Sequence, residues 1–289
     1  METQMGPLVQ PFLDNEFLQR ALFGGVAVAL ACAVVGTFVV LRGLAFIGDA
    51  LAHGVLPGVA LAVLVGMPGL AGAALGAAAM IGGVSLLTRR SQLSADTAIG
   101  LLFVGMLALG VVMVSRSNSF TGDLVRILFG ELLGISQADL AVQAIATVVV
   151  VAVTLLLSRP FLLLCVDPEQ ADVAGFASTR YHVIMLVVVA ATVIVSFQTV
   201  GTLLVFGMLL APAGAGALVA RRISSMMLIA AAIGSVSVYL GLLASYHFDL
   251  AAGASVVLVA VALFFVTFAA ASGRDTHRSA GTPRTVMPT

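Results

Sequence analysis

Lysine is absent from the 289 residues, so every one of the 13 basic residues is arginine. That absence removes two chemistries, because a phosphate-binding loop needs its lysine and a Schiff-base enzyme needs its amine. Charge of either sign is scarce: the chain is 9% charged with a formal net charge of +0. No basic face is available to drive nucleic-acid binding, and the composition is not that of a disordered chain. The 2 cysteines, Cys32 and Cys165, are too few to staple a small secreted domain and too distant in sequence to be read as a disulfide. The sequence also lacks HExxH, a GxSxG elbow and a pair of membrane aspartates in a GxGD-like setting, which leaves an intramembrane enzyme without its constellation.

What the chain has in quantity is apolar length. It is 61% hydrophobic with a mean hydropathy of +1.18, whereas soluble domains are about half apolar and a quarter charged. A helix needs about 20 apolar residues to cross about 30 Å of hydrocarbon. Runs of that length predict an all-α, polytopic membrane helix bundle in one domain, residues 17–271, with nine spans: 17–41, 44–65, 68–88, 97–114, 140–157, 182–200, 202–220, 226–244 and 251–271. Residues 182–220 form one apolar run broken only by Gln198, Gly201 and Thr202, so an eight-span reading stays open. The 11 methionines are scattered through the spans as packing residues would be, which weighs against a methionine-rich copper path.

The arginines choose an orientation, because cytoplasmic loops carry the excess of basic residues. With the C-terminus inside, Arg42, Arg89, Arg90, Arg159, Arg180, Arg221, Arg222, Arg274, Arg278 and Arg284 are cytoplasmic, against Arg20, Arg116 and Arg126 outside. The N-terminal segment 1–16 is then external, and the polar tail 272–289 is expected to be a disordered cytoplasmic end. The stretch before Arg20 has no basic n-region and no short apolar core with a small-residue cleavage site, so no cleaved signal peptide is expected. Two hydrophilic segments exceed simple turns. Residues 115–139 carry Leu124, Ile127, Leu128, Leu132 and Ile135 at helical spacing, which fits either an amphipathic helix on the outer surface or a loop packed on the bundle. In residues 159–181, Asp167 is an N-cap acid, Pro168 takes the first helical position, Gln170 the capping-box position, and Gly175 fits a helix stop. A two-turn cytoplasmic helix over 167–175 is expected.

Ionisable groups at membrane depth cost about 2.5–3.5 kcal/mol each on insertion scales, so each needs a reason. Asp49 and His53 stand four apart in the second span, hence on one helix face and about 6 Å apart along the axis. A carboxylate and an imidazole so spaced fit a shared divalent transition metal, and equally an Asp–His hydrogen bond that satisfies itself. Pro57, with Gly48, Gly54 and Gly58 around the pair, frees the carbonyl of His53, which fits either an ion-lined break or a packing kink. Pro212, flanked by Gly207, Gly214 and Gly216, reads as a hinge or as a close-packing helix. In the third span Gly72 and Gly76, with Ala73 and Ala77 one phase over, allow close helix approach within the chain or at a dimer face. His247 and Asp249, at the outer mouth of the last span, either draw in a cation or cap a helix. His182 and His277 lie at or beyond the cytoplasmic boundary.

The strings VVLRGLAFIGDALAHGVLPGVALA, ADTAIGLLFVGMLALGVVMVS, LFGELLGIS, VDPEQADVAG, VGTLLVFGMLLAPAGAGAL and SYHFDLAAGASVVL occur in that order. Together they resemble the membrane permease subunit of ABC importers for zinc, manganese and iron, over roughly residues 17–271. The resemblance implies a permease dimer in the bacterial cytoplasmic (inner) membrane, two cytoplasmic ATP-binding cassette subunits, and an extracytoplasmic metal-binding lipoprotein that delivers the ion. It assigns Asp167, Pro168, Glu169, Gln170, Ala171, Asp172 and Gly175 to a coupling helix that docks on the ATPase. The implied cargo is a divalent metal ion, with no cofactor and no catalysis in this subunit. Asp49 and His53 would then belong to the metal path at the dimer interface. One departure is visible: after Pro212 the family commonly continues Ala-Ala-Thr, whereas here Ala213, Gly214 and Ala215 follow.

Two competitors have less behind them. A stand-alone secondary transporter needs a coupling network of acids, and Asp49 alone is thin for that. An iron–siderophore permease shares the architecture, but the Asp49–His53 pair argues for a bare ion. Zinc, manganese and ferrous iron share too many ligand preferences to be separated by residue type.

Overall fold

The computed structural model describes residues 6–90, 93–115 and 132–279. No strand occurs among them. The helices are α1 (Gly6–Asp14), α2 (Glu16–Arg42), α3 (Ile47–Gly54), α4 (Leu56–Val65), α5 (Gly69–Arg90), α6 (Ala95–Ser115), α7 (Gln137–Leu156), α8 (Ser158–Val166), α9 (Pro168–Val173), α10 (Ser178–Val200), α11 (Thr202–Val219), α12 (Ile223–Phe248) and α13 (Ala252–Ser279), with a 3-10 turn at Leu132–Gly134. Among the described residues eight apolar helices are long enough to cross a membrane, counting Ile47–Val65 as one, and the helix after Gly201 is a shorter ninth. The apolar run 182–220 is therefore two helices. Gly201 divides it with φ 83° and ψ 160°, a backbone region essentially closed to any residue with a Cβ.

α2 is the central post, packed by α7, α10, α11 and α12, with α8 against its C-terminal end. Helices in lipid gain little from the hydrophobic effect and hold one another through close packing of small residues. The approach of α4 to α5 shows this most clearly. A Cβ placed on Gly58 would lie 2.1 Å from the carbonyl oxygen of Gly72, and one on Gly72 would lie 2.3 Å from that of Gly58. Ala73 and Ala77 are buried beside them. The small-residue stripe of the third span thus packs inside this chain.

The helix boundaries depart from the sequence expectations by a few residues at most ends, with one larger difference. α13 runs to Ser279, past the expected end of the membrane segment at residue 271 and into the stretch expected to be disordered. Adding a residue to an existing helix needs no new nucleus, so a polar extension forms readily on a long apolar helix. Residues 280–289 of that tail lie outside the described residues. In the N-terminal segment, α1 docks on α12: Phe12 stacks on Tyr239 at 5.1 Å, and the Tyr239 hydroxyl donates to the Leu8 carbonyl at 3.0 Å. Of the amphipathic segment 115–139, residues 116–131, with Leu124, Ile127 and Leu128, lie outside the described residues. Its far end is packed on the bundle, with Leu132 and Ile135 buried. α7 then begins in a reciprocal cap, in which Ser136 and Asp139 each accept the other's backbone N–H.

Candidate functional site

Gly43, with φ 71°, ends α2 by a paired cap in which Leu44 N–H reaches the Val39 carbonyl and Gly43 N–H that of Val40. The chain turns back into the bundle as α3. Ile47 and Leu51 are wholly buried and fix one face of that short helix. Gly48 sits under Leu209 and Phe206 of α11, where a Cβ would come within 2.8 Å of a Leu209 methyl. Asp49 and His53 fall on the less enclosed side, with 32% and 18% of their side chains exposed.

The pair faces itself without closing. His53 Nε2 lies 3.4 Å from Asp49 Oδ1, beyond the 2.7–3.2 Å of an N–H···O hydrogen bond. His53 Nδ1 is buried with no hydrogen-bond partner among the described residues. Its ring meets Phe103 of α6 edge to face, centroids 5.5 Å apart. Sequence reading missed Phe103, since nothing in a run of apolar residues marks the one that holds a histidine ring. Beyond His53 the helix breaks at Val55. Ladder bonds are intact on both sides, from Val55 N–H to Leu51 (3.1 Å) and from Val59 N–H to Val55 (3.0 Å), and Pro57 has no N–H to offer the His53 carbonyl. No cluster of three or more His, Cys, Asp or Glu able to hold a metal occurs among the described residues.

The other sequence candidates do not join this pair. Pro212 is buried inside α11, which runs through it unbroken. His247 Nδ1 lies 2.9 Å from the Leu243 carbonyl, and Asp249 ends α12 in the left-handed region with φ 51°. Cys32 and Cys165 are both free thiols.

The expected helix over 167–175 is α9 with its caps. The Asp167 carboxylate accepts the Glu169 N–H at 2.9 Å, and Pro168 fills the first helical position. At the far end Gly175, with φ 86°, permits the closing bond from Phe176 N–H to the Ala171 carbonyl. Glu169, Gln170 and Asp172 are exposed, whereas Ala171 is buried against the bundle. Val173, which the sequence reading passed over, is 91% exposed. Asp172 is not free: its two oxygens take the backbone N–H and the hydroxyl of Ser178, each at 2.7 Å. Those bonds hold its carboxyl below the usual range, the backbone N–H contributing most. On the other side, α8 is fastened to α2. Arg42 donates to the Leu164 carbonyl, Cys165 Sγ lies 3.8 Å from the Phe38 carbonyl, and Phe38 meets Phe161 edge to face.

The sequence pattern of the ABC 3 transport family matches residues 14–271. The chain belongs to this family. It is 36% identical over 260 residues to the manganese transport system membrane protein MntC of Listeria monocytogenes, covering 90% of this chain and 92% of that protein. It is 36% identical over 250 residues to the chelated iron transport system membrane protein YfeD of Yersinia pestis, covering 86% of this chain and 84% of that one. Among solved structures, PsaBC from Streptococcus pneumoniae in complex with Fab aligns over 92% of this chain and 95% of the matched chain, with a TM-score of 0.81 and 30% identity. The family member described here therefore has a bundle fold with a close structural counterpart.

Proposed function

We infer that this chain is the membrane permease subunit of an ATP-driven importer, and that its cargo is a bare divalent transition metal ion: manganese, zinc or ferrous iron. The observation that carries the cargo is the open Asp49–His53 pair. A pair kept only to satisfy itself would close to hydrogen-bond distance, whereas these groups stand at 3.4 Å with the second imidazole nitrogen free of protein partners among the described residues. A carboxylate oxygen and an imidazole nitrogen are ligands that all three ions accept. Two ligands cannot hold an ion in lipid, so the path needs a second copy of the chain. A symmetric pair of permeases supplies two carboxylates and two imidazoles near the axis. Such a site binds weakly enough to release what it takes.

ATP hydrolysis belongs to separate cassette subunits, for the chain has no lysine with which to build a phosphate loop. α9 is the surface they dock on. A capped helix of six residues is too short to be stable in water by itself, and Val173 on it presents an apolar side chain almost wholly to solvent. With α9 and the arginine-rich loops inside, the C-terminus is cytoplasmic, and an extracytoplasmic metal-binding lipoprotein delivers the ion to the opposite end. The test is uptake of radioactive manganese, zinc and ferrous iron by cells carrying Asp49→Asn or His53→Ala at normal membrane levels. Both variants should lose most uptake. Near-normal uptake by both would return the pair to a packing role.

A further inference from the structure

A second polar site lies at the end of the bundle that carries α9. A cavity of ≈ 220 Å³ opens there between α2, α5, α6, α8, α9 and α10. Its polar lining among the described residues is Arg42, Ser85, Thr88, Ser178, Thr179 and His182, with no carboxylate. Two acids of α9 and its cap are already engaged, Asp172 by Ser178 and Asp167 by the Glu169 N–H.

The donors in this lining are in excess. Arg42 uses one guanidinium N–H on the Leu164 carbonyl, and a guanidinium carries five. Ser85 Oγ is buried and has no hydrogen-bond partner among the described residues. Leaving a buried hydroxyl unpaired is costly, and such atoms normally find a protein or water partner. A planar guanidinium beside hydroxyls is the donor set that grips a tetrahedral oxyanion through two parallel bonds. The volume narrows the choice. Ligand pockets for drug-sized molecules run from about 300 Å³ upward, more than this cavity encloses, while a water's share of liquid volume is about 30 Å³. A single phosphate group with a few waters fits.

We propose that this cavity binds a phosphate-bearing anion, a phospholipid headgroup or free inorganic phosphate, clamped by Arg42 with Ser85, Thr179 and His182 as further donors. Basic pockets between membrane helices at the cytoplasmic boundary are suited to phospholipid headgroups. Pro168 of α9 and Ser178 of α10 are part of the wall, so a bound anion ties the two helices to α2. Where α9 docks an ATPase, as proposed above, occupancy would stiffen the docking surface, but binding itself can be measured without that reading.

The experiment uses the full chain in two arms. In the first, nanodiscs of phosphatidylcholine with and without phosphatidylglycerol are followed by native mass spectrometry for retained anionic lipid. In the second, inorganic phosphate is titrated against sodium chloride of matched ionic strength, and the melting temperature is read. One arm should show saturable binding in the parent chain, and that arm names the source. Arg42→Gln should weaken it by about a hundredfold and Ser85→Ala by about tenfold, the range for hydrogen bonds to a charged group. Ser85→Ala guards against misfolding, since its hydroxyl supports nothing else in the described fold. Arg90→Gln, an exposed arginine at the end of α5, should bind as the parent does. No saturable binding in either arm overturns the proposal, as does binding undiminished by Ser85→Ala and Arg42→Gln.

Discussion

Replacing Gly58 by Ala sets two effects of known sign against each other. Alanine is favoured over glycine in a helix by about 1 kcal/mol, which acts toward stability. Against it, the new methyl would stand 2.1 Å from the Gly72 carbonyl oxygen and 2.8 Å from the Gly76 nitrogen. These are backbone atoms and cannot rotate away. Ordinary contact begins at 3.4 Å, so α4 and α5 must part by more than an ångström. Parting them also opens the neighbouring contacts of Gly76 with Gly54 and of Gly72 with Ala62. Overpacking of this kind costs about 1–3 kcal/mol, and the upper end applies where the obstacle is backbone. The expected net loss is about 1–2 kcal/mol after the gain in helix preference. Gly82→Ala, in α5 with nothing within 4 Å of its added methyl, receives the favourable effect alone. The chain has no tryptophan but has a buried thiol at Cys32, so a thiol-reactive dye reports unfolding of detergent-purified protein on heating at one fixed scan rate. The expected order of melting temperatures is Gly82→Ala at or above the parent and Gly58→Ala below it. Gly58→Ala melting at or above the parent would refute the close backbone approach.

Ala171→Leu, at a buried position, should lower the melting temperature through overpacking of about 1–3 kcal/mol. Val173→Asp, two residues on and exposed, should leave stability within about 0.5 kcal/mol yet abolish metal uptake; normal uptake in Val173→Asp would detach α9 from ATPase docking. Because the Asp172 carboxyl is held below its usual range by Ser178, the link it makes between α9 and α10 is fully present above about pH 4 and is lost as pH falls through the lower folded value. The protection of the α9 amides, exchange being taken relative to its intrinsic rate at each pH, should fall over that acid range in the parent, and Asp172→Asn should show reduced protection already at neutral pH. Gly201→Ala should destabilise by about 1–3 kcal/mol through its φ of 83°, read in the same melting assay; an unchanged melting temperature would mean that the α10–α11 junction tolerates another conformation.

The membrane bundle was legible because apolar length is a property of composition that packing does not alter. α9 was legible for a local reason, since Asp167, Pro168 and Gly175 carry the cap, the first turn and the stop within a single stretch. The division of residues 182–220 rested on length, and the decisive residue, Gly201, looked like any glycine until its backbone angles were seen. Asp49 and His53 were recognisable as a pair from their spacing, but the 3.4 Å gap between them depends on how α11 and α6 press on α3. The family resemblance placed Asp172 in the coupling helix with Glu169 and Gln170; its engagement with Ser178 depends on a turn that brings residues six apart together. Val173 escaped notice because an isolated valine carries no signal, and only its exposure distinguishes it.

The fastening of α9 has a mechanical consequence. On one side it continues from α8, which Arg42, Cys165 and the Phe38–Phe161 contact bolt to α2. On the other, the Asp172–Ser178 bonds tie it to the first residue of α10, and α10 packs directly on α3. A force applied to this helix therefore has no slack segment in which to dissipate. A push that preserves these bonds must carry α2 and α10 together, the second of which bears on the helix holding Asp49 and His53. Where α9 docks a partner, as proposed above, it would act as the crossbar of a yoke, and the stiffness of its two arms would set how much of that partner's movement arrives at the middle of the membrane.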